Sequence, residues 1–390
     1  MITVDDALAL VMDLVSPLGT EEVPLTAAAG RVLSQDVAAK RDQPPFAASA
    51  MDGYAVNADE VERHAMFKVI GEAAAGHAFE GQVGPGQAVR IFTGAPVPRG
   101  AGFVVIQEDV SRKDDLITII DEPGSNHNIR PKGGDFGIGS SLNAPRILSA
   151  SDVALLAAMN IPTVPVYRKP VVALISTGDE LVMPGDTPGP DQIIASNTFG
   201  LKAMLDALGA EARILPIAQD TENSLKTAFS LTQGADLVVT VGGASVGDHD
   251  LVGKVAADLG MDRSFYKVAM RPGKPLMAGR MNGAAMLGLP GNPVSAMVCG
   301  TLFLTPMIRV MLGLGSKSLA PQSAKLLDPL SANGSRQHYM RARLDNGQIR
   351  AFSNQDSSLL TVLADANALL VRPPHDPERS SGDSVQYLPL

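Results

Sequence analysis

The chain has 390 residues and a formal net charge of -9, too long for one ordinary core, and at roughly 100 to 200 residues per domain it implies two to four domains. The acidic excess argues against a general nucleic-acid or anionic-membrane surface, although a small anion can still meet a local group of Lys and Arg. The one cysteine, Cys299, excludes an internal disulfide and suits a reducing compartment; its apolar neighbours mark it as a core thiol. The N-terminus lacks a basic segment followed by an apolar run, and the most apolar stretch, 294–314, carries Pro306 and Arg309. A cytoplasmic protein without a membrane span is therefore expected.

In chain order, Thr3 can cap a helix whose apolar positions Ala7, Leu8, Leu10, Val11, Leu14 and Val15 follow the 3.6-residue period. A second amphipathic piece, 25–37, reads as helical, and 40–54 is rich in turn residues. Short β-type runs at 67–70, 88–92, 103–107 and 116–120 are then separated by Gly, Pro and Asn, the pattern of a small all-β domain. Ser149 opens another helix at 152–159. A β block between helical segments reads as an insertion, so a discontinuous helical domain (1–40 with 140–169) is expected around an inserted β domain (41–139).

The most regular section is 170–320. Strands at 171–175, 212–218, 237–241, 265–268 and 284–287 alternate with helices at 197–208, 221–232 and 251–259, which predicts an α/β domain with a doubly wound, mostly parallel sheet. Asp179 and Glu180, then Asp220, then Asp248 and Asp250 each follow a different strand. Parallel strands end on one rim, where ligands bind in open α/β sheets, so these acids converge there. Lys267, Arg271 and Lys274 follow the next strand, and Pro290, Gly291, Asn292 and Pro293 the one after. One edge thus offers carboxylates for a divalent cation, cations for an oxyanion, and the backbone of Gly242 and Gly243 for close approach. Singly, each acid reads about equally well as a helix cap or a solvated loop residue; five together are harder to explain that way.

The final section, 321–390, carries strand patterns at 324–327, 338–344, 348–352, 368–372 and 384–388, with Asp345, Asn346 and Gly347 as a hairpin turn. It reads as a small C-terminal β domain in which Arg341 and 355–358 are, on pattern alone, polar surface features. Gly243 to Gly247 match GxSxG around Ser245, but the helix begins only after Asp250, too late for a nucleophile elbow. HExxH, paired CxxC and Walker A sequences are lacking, so a zinc enzyme or P-loop nucleotidase has no ligand set. His249 reads as a polar loop residue.

SAMDGYA at 49–55, IFTGAP at 91–96, STGDEL at 176–181, GGASVGDHD at 242–250, RPGKP at 271–275 and LPGNPVS at 289–295 are six motifs in fixed order. Together they resemble the molybdopterin molybdenumtransferases, relatives of the plant molybdenum-insertase E domain and of the E domain of gephyrin. The resemblance spans essentially the whole chain and implies four domains and a homodimer, with the discontinuous helical domain as the dimerisation domain. It implies an active site between the sheet domain of one subunit and the inserted β domain of the other. The implied reaction joins adenylylated molybdopterin and molybdate, with Mg2+ as cofactor, and releases AMP and molybdenum cofactor. Carried over by motif, Asp179, Glu180, Asp220 and Asp250 are site acids, with Glu180, Asp220 and Asp250 toward the metal. Asp52, Thr93 and Asp135 come from the other subunit. Gly242, Gly243, Ser245, Lys267, Arg271, Lys274, Pro290, Pro293 and Ser295 line the pterin-phosphate and molybdate region, and Arg341 and Ser357 act as oxyanion ligands. Partner proteins implied are a molybdopterin adenylyltransferase and molybdoenzyme maturation proteins. Arg271 stands where some relatives carry lysine, and Gly134 where relatives often carry glutamate before the aspartate matched to Asp135. Two other readings are an adenylyltransferase-like enzyme, which would need the sheet domain alone, and a non-catalytic scaffold of the gephyrin type.

Overall fold

The computed structural model describes residues 1–243, 251–316 and 320–390, which form two compact units. One comprises Met1–Glu21, Gly30–Ser34 and Val166–Leu390; the other comprises Glu22–Ala29 and Gln35–Pro165.

The larger unit is built on a six-stranded sheet. Helix α1 is Val4–Met12; then come β1 (Val171–Ser176), α2 (Asn197–Ala207), β2 (Glu211–Ile214), α3 (Glu222–Ser230), β3 (Leu237–Val241), α4 (Leu251–Asp258), β4 (Asp262–Tyr266), β5 (Met277–Met281) and β6 (Ala284–Leu289). The sheet order is β2-β1-β3-β6-β5-β4. β2, β1, β3 and β6 are parallel neighbours, whereas β5 runs antiparallel to both β6 and β4. All five residues of β3 are buried, as expected for a central strand covered on both faces. Its alternate residues serve two cores: Leu237, Val239 and Val241 face one with Val172, Leu174 and Leu287, and Val238 faces the other with Ile175, Val252 and Met286.

Thr3 caps α1 through a reciprocal capping box with Asp6. The buried positions Val4, Ala7 and Val11 of α1 belong to the larger unit's core with Val268, Met307 and Ile308. The apolar stretch after β6 is one continuous helical segment, Pro293–Met311, with 78% of its most apolar window buried; it is a core helix of this unit. It contains α5 (Pro293–Cys299), a π-helical turn at Gly300–Leu304, and α6 (Thr305–Met311). The wider turn lets the helix continue into Pro306, whose missing N–H cannot serve a regular ladder.

Five further strands follow: β7 (Gln322–Leu326), β8 (Gln337–Asp345), β9 (Gln348–Ala351), β10 (Ala368–Arg372) and β11 (Ser384–Pro389). They pair in the cycle β8-β9-β7-β11-β10-β8 and so close on themselves. The short strand Met270–Arg271 adds to β8 in parallel, Arg271 opposite His338, tying the RPGKP turn to this small barrel. Asn346 and Gly347 adopt positive φ, +47° and +77°, and form the expected hairpin.

The smaller unit carries a second six-stranded sheet, in the order Phe103–Ile106, Gly53–Val56, Gln87–Ile91, Met66–Ala73, Leu116–Ile119, Val110–Lys113. Tyr54 and Val56 pack into one core and Ala55 into another, the alternation of a strand buried on both faces. Residues 25–37 are not an amphipathic helix: only Leu25–Ala27 turns, as 3-10 helix, and Val32–Leu33 and Val37–Ala38 are strands. Gly30, at φ +76°, lies inside the expected helix, where a left-handed residue stops helical propagation.

Candidate active site

The carboxyl ends of β1, β3 and β6 stop beside one another, and each opens into a glycine-bearing turn. Thr177 N–H donates to Val241 O at 3.0 Å and Gly242 N–H to Leu289 O at 3.1 Å, so the three turns are laced together at the rim. They are packed so closely that side chains are excluded. Gly242 has φ +97°, and a Cβ there would lie 2.5 Å from the Thr177 carbonyl oxygen; a Cβ on Gly243 (φ +64°) would lie 2.2 Å from Val252 Cγ2. Only glycine satisfies both the dihedral and the approach.

Above this rim lies a cavity of about 700 Å3, with a floor of Thr177, Gly178, Gly242 and Gly243. Glu180 and Asp220 line it together with Pro275, Pro290, Gly291, Asn292 and Pro293, and Ser358 of the C-terminal barrel also faces it. Leu181, Ile193 and Ile194 give it an aliphatic wall. Asn197, the first residue of α2, donates Nδ2–H to Gly291 O at 2.7 Å and so fixes the LPGNP turn.

The acids meet as the topology demands. Asp179 Oδ1 accepts the Asp220 N–H at 2.9 Å. Asp220 is held above its ordinary carboxyl range by partial burial first and then by the charges of Asp179 and Glu180, with no cation among the described residues offsetting them. That imbalance, on two carboxylates facing one cavity, fits a divalent cation. Among the described residues no three such ligands gather at one point, and Mg2+ suits this economy because it keeps several waters and takes substrate phosphate oxygens. Asp248, Asp250, His249 and Ser245 lie outside the described residues.

The cations occupy the RPGKP side. Arg271 and Lys274 are exposed, and Lys267 lies over the Tyr266 ring, 5.1 Å from its centroid; none of the three lines the cavity wall, although Pro275, next to Lys274, does. His338, opposite Arg271, is buried and pushed down to about 4, by desolvation first and then by Arg271, Arg372, Arg336 and Arg341. It is neutral at pH 7 beneath a strongly positive locus. Asp376 neutralises Arg372, but the Arg341 side chain, in a residue 1% exposed, donates among the described residues to Gln355 Oε1 and to the carbonyls of Asp356 and Leu359. Ser295 is buried in α5. Ser357 Oγ accepts Asn292 Nδ2–H at 3.1 Å, and its neighbour Ser358, rather than Ser357, lines the cavity.

In the smaller unit, Asp52 Oδ1 accepts both the backbone N–H and the hydroxyl of Thr93, each at 2.7 Å. These bonds hold its carboxyl below the ordinary range. Asp135 donates its N–H to Gln43 O at 2.9 Å.

Thr177, Gly178 and Asn197 are site residues that pattern reading passed over. Each follows a strand or opens a helix directly, and that position was the available signal. The Thr177 hydroxyl is buried without a hydrogen-bond partner among the described residues.

Three family models match the chain in order: "MoeA N-terminal region (domain I and II)" over 2–160, "Probable molybdopterin binding domain" over 173–310, and "MoeA C-terminal region (domain IV)" over 323–390. The molybdopterin molybdenumtransferase of Nostoc sp. is 38% identical, with 98% of this chain and 91% of that protein covered. The enzyme of the same name from Haemophilus influenzae is 35% identical over 100% and 99%. A crystal structure of the molybdopterin biosynthesis MoeA protein of Pyrococcus horikoshii superposes with a TM-score of 0.86 at 30% identity, covering 100% of this chain and 99% of that one. Flanking regions matched on both sides of the sheet domain set the chain apart from a free-standing adenylyltransferase-like domain, and the rim geometry agrees: the chain belongs to the molybdopterin molybdenumtransferases, the MoeA family of transferases in molybdenum cofactor biosynthesis.

Proposed function

We propose that the chain binds adenylylated molybdopterin and molybdate together, cleaves the phosphoanhydride, and releases AMP and molybdenum cofactor. The observation that carries this reading is the cavity at the sheet's carboxyl rim, where close-packed glycine backbone, two carboxylates and the neighbouring RPGKP turn meet. A pyrophosphate ester and a tetrahedral dianion repel each other. Holding both requires N–H donors and cations on one side and a metal site on the other. Gly178, Gly242 and Gly243 allow phosphate oxygens to reach the backbone, while Arg271 and Lys274 supply charge nearby. Arg341 and Ser357, the family's oxyanion ligands by motif, lie behind the cavity-lining Ser358 and would act on the oxyanion end through the 353–359 turn. Glu180 and Asp220, joined by Asp250, would hold Mg2+, which would offset negative charge building on the leaving phosphate. Water supplies the oxygen that replaces the bridging P–O bond, giving AMP and the molybdopterin phosphate, so no protein nucleophile is required and the protein contributes positioning and charge compensation.

A homodimer in which Asp52, Thr93 and Asp135 of one copy serve the site of the other, and a cytoplasmic location, are part of the same proposal on the strength of the family resemblance. So is receipt of substrate from a molybdopterin adenylyltransferase and delivery toward molybdoenzyme maturation proteins. The test is AMP release from adenylylated molybdopterin with molybdate and Mg2+ each present or withheld. Release that needs both is expected; release unaffected by molybdate removes the reading.

A further inference from the structure

Among the described residues the C-terminal barrel contributes to the cavity through the turn 353–359, and the Gln355 side chain ties that turn to β8. β9 pairs with β8 as far as Ala351 opposite Ala342. Phe352 N–H still reaches Arg341 O, at 3.0 Å, and there the chain leaves the sheet. The Gln355 side chain then takes the place of a neighbouring strand's peptide. Its Oε1 accepts the Arg341 N–H at 2.9 Å and Arg341 Nε–H at 3.3 Å, and its Nε2–H donates to Arg341 O at 2.9 Å and Phe352 O at 2.8 Å. Both ends of the amide are thus satisfied against a buried strand edge.

The same arginine grips the far side of the turn. Arg341 Nη1–H donates to Asp356 O at 2.8 Å, and Asp356 Oδ1 accepts both Ser358 N–H, at 2.8 Å, and Ser358 Oγ–H, at 2.7 Å. The turn so formed reaches the start of α5, where Val294 N–H donates to Ser357 O at 3.1 Å and Asn292 Nδ2–H donates to Ser357 Oγ at 3.1 Å. Asn292, Pro293 and Ser358 then face the cavity side by side.

We propose that Gln355 is a positioning residue for the oxyanion end of the site: by folding 353–359 against Arg341 it sets where Ser357 and Ser358 stand relative to Asn292 and Val294, and hence how tightly a tetrahedral dianion is held. The inference rests on the proposed use of molybdate. Gln355 does not line the cavity, so it acts on anion affinity and leaves bond cleavage to other groups. Gln355→Ala strips the Arg341 N–H and Nε–H of their acceptor. Gln355→Glu keeps that acceptor but loses both donated bonds and sets a carboxylate against two carbonyl oxygens. A lost bond to a buried charged group corresponds to on the order of a tenfold weakening.

The experiment uses the full chain with sodium molybdate as the probe. Calorimetric binding, molybdate-dependent AMP release, and hydrogen exchange of peptides spanning 290–296 and 353–360 are compared for wild type, Gln355→Ala and Gln355→Glu. The expected result is faster exchange in both peptides and a roughly tenfold rise in the molybdate dissociation constant and half-saturation. The maximal rate changes far less, and Gln355→Glu lies between wild type and Gln355→Ala. Unchanged molybdate affinity in both variants, or parallel losses of affinity and maximal rate, overturns the proposal. A wild type that binds no molybdate removes the functional reading and this inference with it, whereas a wild type that binds molybdate without turnover leaves the calorimetric arm to decide the inference.

Discussion

Gly242→Ala tests the rim most severely, because two independent costs fall on one methyl group. The residue sits at φ +97°, and the new Cβ would stand 2.5 Å from the Thr177 carbonyl oxygen and 3.0 Å from its hydroxyl. The left-handed dihedral costs an alanine about 1–2 kcal/mol. The carbonyl cannot retreat cheaply, since Thr177 N–H is bonded to Val241 O at 3.0 Å and Gly178 N–H to Ala218 O at 3.1 Å. Overpacking against backbone adds about 1–3 kcal/mol, for a total of about 2–5 kcal/mol. Gly260→Ala is the internal control: φ there is +90°, but among the described residues nothing lies within 4 Å of an added Cβ, so it should show only the dihedral part, about 1–2 kcal/mol. The assay is thermal and urea unfolding of the two variants beside wild type. The Gly242 variant should lose on the order of 10 °C and the Gly260 variant less than half of that. Equal losses would mean that the three turns are not packed as described.

Asp220→Asn should separate stability from function. The folded-state value of Asp220 is raised, so its contribution to stability is present below the ordinary carboxyl range and is lost as pH rises through the folded value; at pH 7 the ionised group opposes folding. The variant should therefore melt no lower than wild type at pH 7 without Mg2+, while Mg2+-dependent AMP release falls steeply. A lower melting temperature would contradict the electrostatic assignment. Asp236→Asn should behave in the opposite way. Burial alone would raise Asp236, but hydrogen bonds from Arg168, at 2.7 and 2.5 Å, and from Val171 N–H, at 2.9 Å, outweigh it and leave the carboxyl lowered. Its stabilisation is present above the ordinary carboxyl range and lost as pH falls through the folded value. Urea unfolding should show a loss of about 2–4 kcal/mol at pH 7 that shrinks below about pH 4; a deficit independent of pH would refute the pairing.

Much of this site was legible in the residues. The strand at 237–241, the acids after successive strands and the glycines at 242–243 carry strong patterns, and parallel topology alone brings their ends to one edge. Other parts were hidden for identifiable reasons. β5, Met277–Met281, lacks β-branched residues, and Gly279 serves a close approach, with a Cβ there 2.3 Å from Asp262 O; neither resembles a strand locally. The first half of the strand Gly53–Val56 fell in the turn-rich section 40–54 because it opens on a glycine, Gly53, whose absent Cβ would lie 2.0 Å from Val105 O. The helix expected at 25–37 failed because amphipathic spacing does not reveal a left-handed glycine such as Gly30. Arg341 read as a surface residue because a lone charge in a strand pattern usually is one. What buries it is the 353–359 turn, a tertiary arrangement invisible to periodicity, and the same turn puts Ser358 on the cavity with Ser357 turned toward Asn292.

We place ligand chemistry in the cavity above the joined ends of β1, β3 and β6. A crystal structure of the full chain with adenylylated molybdopterin bound tests it most directly. The phosphoanhydride should lie over Gly178, Gly242 and Gly243, within reach of Glu180 and Asp220. A phosphoanhydride bound away from that rim, with the cavity still filled by solvent, would contradict it.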